Sequence, residues 1–182
     1  MKKLIKLTLV VALALSSTSL FAQKLGRINM QELIAVMPET QEMQTKLQAY
    51  VKDLQEQMET LQVELNNKYN DFMKEYNNLA EGVRNVREQE IQDMQTRLQQ
   101  FNSWAEQDLQ KKRAEMLEPI IKKANDAVTK ISKAGNYSAV FDSSVPSLAY
   151  FDEASMTDIQ PQVRAEMGIA ADAKPVMPAA AE

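Results

Sequence analysis

The sequence contains no cysteine and no histidine. Without cysteine there is no disulfide, no thiolate nucleophile and no lipid anchor on an N-terminal cysteine. Without histidine the commonest general base and the commonest metal ligand are both missing. Serine–histidine and cysteine–histidine nucleophile pairs are therefore excluded. Glycine is scarce: there are four, and Gly82 is the only one between Gly26 and Gly135. Long stretches thus lack the residue that most often interrupts a helix. Beyond residue 22 no apolar run is long enough to cross a bilayer. Acid pairs such as Glu88/Glu90 and Glu115/Glu118 remain, but they lie in helical, charge-rich sequence and read as solvated helix faces. The chain does not read as an enzyme, and neither a cofactor nor a metal site is expected.

What is present starts with a basic segment, Lys2, Lys3 and Lys6, followed by an apolar run over residues 7–15 in which only Thr8 is polar. Four hydroxyl residues and then Leu20, Phe21 and Ala22 complete it. These are the parts of a secretion signal peptide, residues 1–22, with cleavage expected after Ala22. The whole chain has 21 basic and 25 acidic residues; the leader takes three lysines with it, which leaves 18 against 25, or −7. An acidic chain is disfavoured as a partner of nucleic acid or of anionic membrane surfaces. The expectation is an exported, periplasmic protein without stable membrane insertion.

Two apolar stripes dominate the middle. Met43, Leu54, Leu65 and Tyr76 are eleven residues apart, and so are Leu98, Leu109, Ile120 and Ile131. Eleven residues make about three turns at ~3.67 residues per turn, so each stripe stays on one face of a long helix. The first helix is expected over about residues 39–79 and the second over about 83–133, with the break at Glu81–Gly82. Val83 and Val86 fall on the second stripe. In an antiparallel hairpin, facing positions add to a constant, here 163 for Leu65 with Leu98 or Leu54 with Leu109. At ~1.5 Å per residue the paired arm is about 60 Å long. Pro119 interrupts the pattern and Lys112 leaves a wet gap in it, so Gly82, Lys112 and Pro119 are candidate hinges. Gly135–Asn136 should close the second helix with a left-handed cap.

The ends read differently. Residues 24–30 form a short strand, and a short helix with Leu33, Ile34 and Met37 on one face runs to Pro38. Residues 137–142 and 148–151 are apolar β-type runs joined by 143–147, a plausible hairpin turn. Thr157 to Gln160 resembles a capping box that opens a final helix, closed by Gly168. So small a sheet is marginal in one chain, and exposed edges call for pairing. Ile28, Val140, Phe141 and Tyr150 are then candidates for a core shared between chains. The fold class is α+β, mainly α: a helical hairpin, residues 39–134, projecting from a β-rich body, residues 23–38 and 135–168, that trimerisation completes. Residues 169–182 read as a disordered Ala/Pro-rich tail.

The ends also carry a resemblance. LGRIN (25–29), QELI (31–34), MPE (37–39), YSAVFDSS (137–144), AY (149–150) and TDI (157–159) are similar to segments of the Skp/OmpH family of periplasmic chaperones. The likeness covers about residues 24–168. It implies a homotrimer whose three hairpins surround a cavity and hold unfolded outer-membrane β-barrel proteins without ATP. Well-known members are basic, whereas this chain is acidic, so neither charge-steered capture nor a lipopolysaccharide site is carried over.

A surface that holds unfolded chains needs adaptable apolar contacts, and methionine supplies them. Tyr69, Phe72, Tyr76 and Phe101 cluster toward the far half of the hairpin. As stripe residues they are expected mostly to pack between the helices. Met73 and Trp104 fall beside the stripe and are the better candidates for exposed contact. A rival reading, a structural or tethering coiled-coil protein of the cell envelope with no client, explains the stripes equally well but not the two strand-forming ends.

Overall fold

A computed structural model describes residues 23–145 and 150–175. The signal-peptide reading lies outside those residues. So do Leu148 and Ala149 of the expected strand, and most of the tail. The chain divides into two compact units, one built from the segment up to Leu33 with Ala124–Ala173, the other from Ile34–Lys123 with the segment from Lys174. The elements are β1 (Leu25–Ile28), α1 (Met30–Ala35), α2 (Pro38–Glu75), α3 (Glu81–Ala134), β2 (Ala139–Asp142), β3 (Thr157–Asp158) and α4 (Gln160–Glu166), with single 3-10 turns at Tyr76–Asn78 and Glu153–Ser155. The protein is thus mainly helical with a small three-stranded sheet.

In the first unit the strand order is β2-β1-β3, and both pairings are parallel. Leu25 pairs with Ala139 and Ile28 with Asp142 on one side, and Gly26 pairs with Thr157 on the other. This corrects the expected β-hairpin over residues 137–151. β2 pairs with β1 instead, and Tyr150 and Phe151 lie outside any strand. The Asp142 carboxylate accepts from the Ser144 N–H at 2.9 Å, an Asx turn, while the Ser143 N–H donates to the Ile28 carbonyl at 2.8 Å. Burial alone would raise the Asp142 carboxyl; hydrogen bonds from the Ser144 hydroxyl, the Ser144 N–H and the Met30 N–H outweigh it and hold the group below its ordinary value.

The capping box is corrected as well. Thr157–Asp158 is a strand, because the backbone there is used by β1, and the Ile159 N–H donates to the Arg27 carbonyl at 3.0 Å. The helix starts only at Gln160, where Asp158 accepts from the Gln160 N–H at 2.9 Å. Buried apolar residues of this unit are Ile28, Leu33, Ala124, Ala127, Ile159, Val163 and Ile169. The end of α3 is a Schellman cap: Asn136 is left-handed at φ 52, the Tyr137 N–H reaches the Ser132 carbonyl at 3.0 Å, and the Asn136 N–H reaches Lys133 at 3.2 Å.

In the second unit α2 and α3 form an antiparallel hairpin, joined across by Tyr50 with Asp108, Lys68 with Glu90, Glu75 with Arg87 and Glu39 with Lys123. Leu65, Phe72, Ile91 and Met94 make one buried cluster, with Leu79 packed against it. Phe72 and Ile91 have numbers that add to 163, the register expected from the stripes. The break is not at Glu81–Gly82. The chain reverses over Tyr76–Ala80, and Gly82 sits in the first turn of α3 with open space around it. Leu79 fixes the turn by packing, and Arg84 clamps it: its guanidinium donates to the Leu79 carbonyl at 3.3 Å and lies 4.4 Å over the Tyr76 ring. Helix α3 runs without interruption through Pro119, and Lys112 is half-buried with Glu115 at 4.0 Å.

Gly135 offers a direct test. A Cβ there would lie 2.4 and 2.8 Å from ring atoms of Tyr137. That ring has little freedom, because Lys24 Nζ sits 4.2 Å over it and even a Cβ placed on Gly26 would lie 3.2 Å from it. Gly135→Ala is expected to destabilise the protein by about 1–3 kcal/mol, the scale of an overpacked contact, as measured by urea unfolding.

Candidate functional site

The second unit buries one seam and leaves a second set of apolar residues outside. On α2 and the first residue of the 3-10 turn that continues it, Tyr69, Met73 and Tyr76 follow at steps of four and three, so they share one face. They are 49%, 53% and 36% exposed. Across the turn, Val83 and Val86 are 47% and 58% exposed. All five lie at the turn end of the hairpin. Val83, Val86 and Ile91 line a groove of about 450 Å³ with Lys68, Asp71, Arg87 and Glu90.

The charges around these residues are paired. Lys68 meets Glu90 at 3.2 Å, Arg87 meets Glu75 at 2.7 Å and Lys74 meets Asp71 at 3.3 Å. Exposed pairs of this kind add little stability. Their effect here is to leave an apolar surface with a neutralised rim.

The six aromatic and methionine candidates separate cleanly. Met73, Trp104, Tyr69 and Tyr76 are exposed. Phe72 is buried and meets the Tyr76 ring edge-on at 5.3 Å, so it supports the face from beneath. Phe101 is half-buried, with its ring 5.5 Å from that of the exposed Trp104. Among the residues proposed for a shared core, Ile28 is 3% exposed within its own chain, Val140 and Phe141 are half-buried and Tyr150 is 85% exposed.

Five exposed apolar residues escaped the sequence reading: Val63, Val83, Val86, Ile121 and Val145. Val83 and Val86 are corrected from stripe to surface. Their signal was present: the step from Val86 to Ile91 is five, which leaves the three–four rhythm. Val63 lies between Leu61 and Leu65 and is offset from both.

At the other end of the hairpin, Met43, Met116, Pro119 and Ile120 line a groove of about 480 Å³ with Glu39, Glu42, Lys46, Glu115 and Lys123. Among the described residues no cluster of acidic side chains could hold a metal ion, and no helix is long and apolar enough to cross a membrane.

A family model described as outer membrane protein (OmpH-like) matches residues 24–167. The chain belongs to the OmpH-like family. That membership supports a general kind of function, a chaperone that binds outer-membrane proteins, in a family associated with the periplasm and outer membrane. No curated protein matches the OmpH-like chain. The turn-end surface and the Phe101–Trp104 pair both fall inside the matched region, as do all three strands.

One ion pair of this OmpH-like hairpin makes a pH prediction. The hydrogen bond from the Lys123 ammonium holds the Glu39 carboxyl below its ordinary value of 4.5. A lowered carboxyl contributes stability above the unfolded value and loses it as pH falls through the folded one. Thermal unfolding should therefore show stability falling as pH drops below about 4.5. Lys123→Met should reduce that fall, and an unchanged profile would refute the coupling.

Proposed function

We propose that the chain is an ATP-independent periplasmic holdase that binds unfolded outer-membrane β-barrel proteins and prevents their aggregation. It works as a homotrimer, with the client in a cavity between three hairpin arms. The observation that carries this reading is the exposed apolar set at the turn end: Tyr69, Met73, Tyr76, Val83 and Val86, on a chain of a chaperone family. An unfolded barrel protein presents alternating apolar strands. Contacts made by side chains on two solvent-facing helix surfaces suit many such strands, where a closed pocket would suit one. Phe72 and Leu79 underneath keep the two helices together while the surface is occupied.

Trimerisation is the second part of the proposal. It is supported by β2 and β3 standing as edge strands on either side of β1, and by the 85% exposure of Tyr150. Residues 23–38 and 135–168 would supply the joined body and residues 39–134 the arms. Gly82, Lys112 and Pro119 remain the proposed points at which an arm adapts to client size. Cleavage after Ala22 would deliver the acidic mature chain to the periplasm.

The test is aggregation of a β-barrel protein diluted from urea. A sub-stoichiometric amount of the trimer should suppress light scattering. Changing Tyr69, Met73 and Val86 together to serine should weaken suppression by roughly tenfold or more, on the scale of a few lost apolar contacts. A passive envelope tether would leave scattering unchanged. The mass in solution should be three times that of one chain, and a stable monomer would refute the trimer.

A further inference from the structure

In a chain without cysteine, methionine is the side chain that oxidants convert most readily and reversibly. Nine of the eleven methionines lie among the described residues. Eight of those nine are buried or half-buried; Met73 alone is exposed, at 53%. Its place matters as much as its exposure. It sits four residues after Tyr69 and three before Tyr76, at the centre of the apolar face of α2. Lys74, the adjacent charge, is paired with Asp71. The thioether therefore faces water in the middle of an otherwise apolar strip.

We propose that Met73 is an oxidation site that switches this face off and on, an inference that rests on the holdase reading for its consequence but not for its chemistry. The oxidant class is a hypohalous acid. The thioether sulfur attacks the chlorine of hypochlorous acid, releasing hydroxide and forming a chlorosulfonium. Water then adds its oxygen at sulfur and chloride leaves. Sulfur loses two electrons, chlorine gains two, and the products are the sulfoxide, chloride and a proton. The sulfoxide is polar where the thioether was apolar, so the centre of the strip no longer matches an apolar segment. A methionine sulfoxide reductase, drawing two electrons and two protons from a dithiol that becomes a disulfide, returns the thioether and water. The neighbouring Tyr69 and Tyr76 stay chemically intact, and the buried Leu65, Phe72, Ile91 and Met94 cluster stays closed, so the hairpin persists while its surface changes.

The experiment treats the full-length protein with hypochlorous acid in increasing amounts, maps each sulfoxide by peptide mass spectrometry, and measures suppression of barrel-protein aggregation at each step. Met73 should be converted first. Suppression should fall roughly threefold to tenfold as it is converted, the scale of a lost thioether contact, and a sulfoxide reductase should restore it. Met73→Leu, compared with its own untreated level, should keep its suppression through the same treatment. Conversion of a second described methionine as fast as Met73 would overturn the site. Complete conversion of Met73 with no change in suppression would overturn the switch, as would equal loss by Met73→Leu. If the untreated protein suppresses nothing, the holdase reading fails, while the order of oxidation still decides the site.

Discussion

The first unit depends on one short main-chain ladder. Strand β1 has four residues, and both of its edges are taken by partners more than a hundred positions downstream, β2 on one side and β3 on the other. Neither outer strand touches the other in the sheet order, so each is a strand only because β1 lies beside it. The ordering cost of joining such distant segments rises slowly with loop length, by about 0.6 kcal/mol per doubling. Most of the intervening chain is helix. Gly26 shows how close the approach is: a Cβ there would come within 3.1–3.3 Å of Val140, Tyr137 and Ile159 together.

The second unit obeys a different constraint. A two-helix hairpin has one seam. Leu54, Leu65 and Phe72 of α2 and Ile91, Met94, Ala105 and Ile120 of α3 are buried, and the further apolar side chains are left half-buried or exposed. Isolated surface apolar residues need no explanation. Five of them at the turn end, with the nearby charges already paired, form a surface with a chemical preference. Seam and surface divide the work between Phe72 and Tyr76, whose rings touch while one is buried and the other exposed.

Much of this was legible in the sequence. The eleven-residue stripes gave both long helices and their register, because periodic apolar residues report directly on a buried face. Gly135–Asn136 gave the cap, and the strand-forming ends gave β1 and β2. The remainder was hidden for physical reasons. Gly82 attracted the turn, but the turn is held by Leu79 and Arg84, and packing of that kind has no local signature. β3 consists of Thr157 and Asp158, which are exposed and have no apolar alternation to announce them. Its strand character comes from β1. Of the expected hairpin over residues 137–151, β2 formed but pairs with β1, a partner more than a hundred residues upstream that local sequence does not announce. At the surface, exposure of Met73 and Trp104 followed from their offset, whereas Tyr69 kept stripe spacing yet lies 49% exposed, while Phe72, nearer the turn, is buried.

The paired rim has a consequence for the conditions under which the surface operates. Attraction between separated exposed charges fades over about 8 Å at physiological ionic strength and faster in brine. Lys68, Arg87 and Lys74 already have carboxylates within 3.3 Å, so they project little field to lose. Apolar attraction, by contrast, holds or strengthens as salt is added. On the proposed reading, a grip built from tyrosine, methionine and valine would tolerate swings in salinity that would release a cargo held by unpaired lysines.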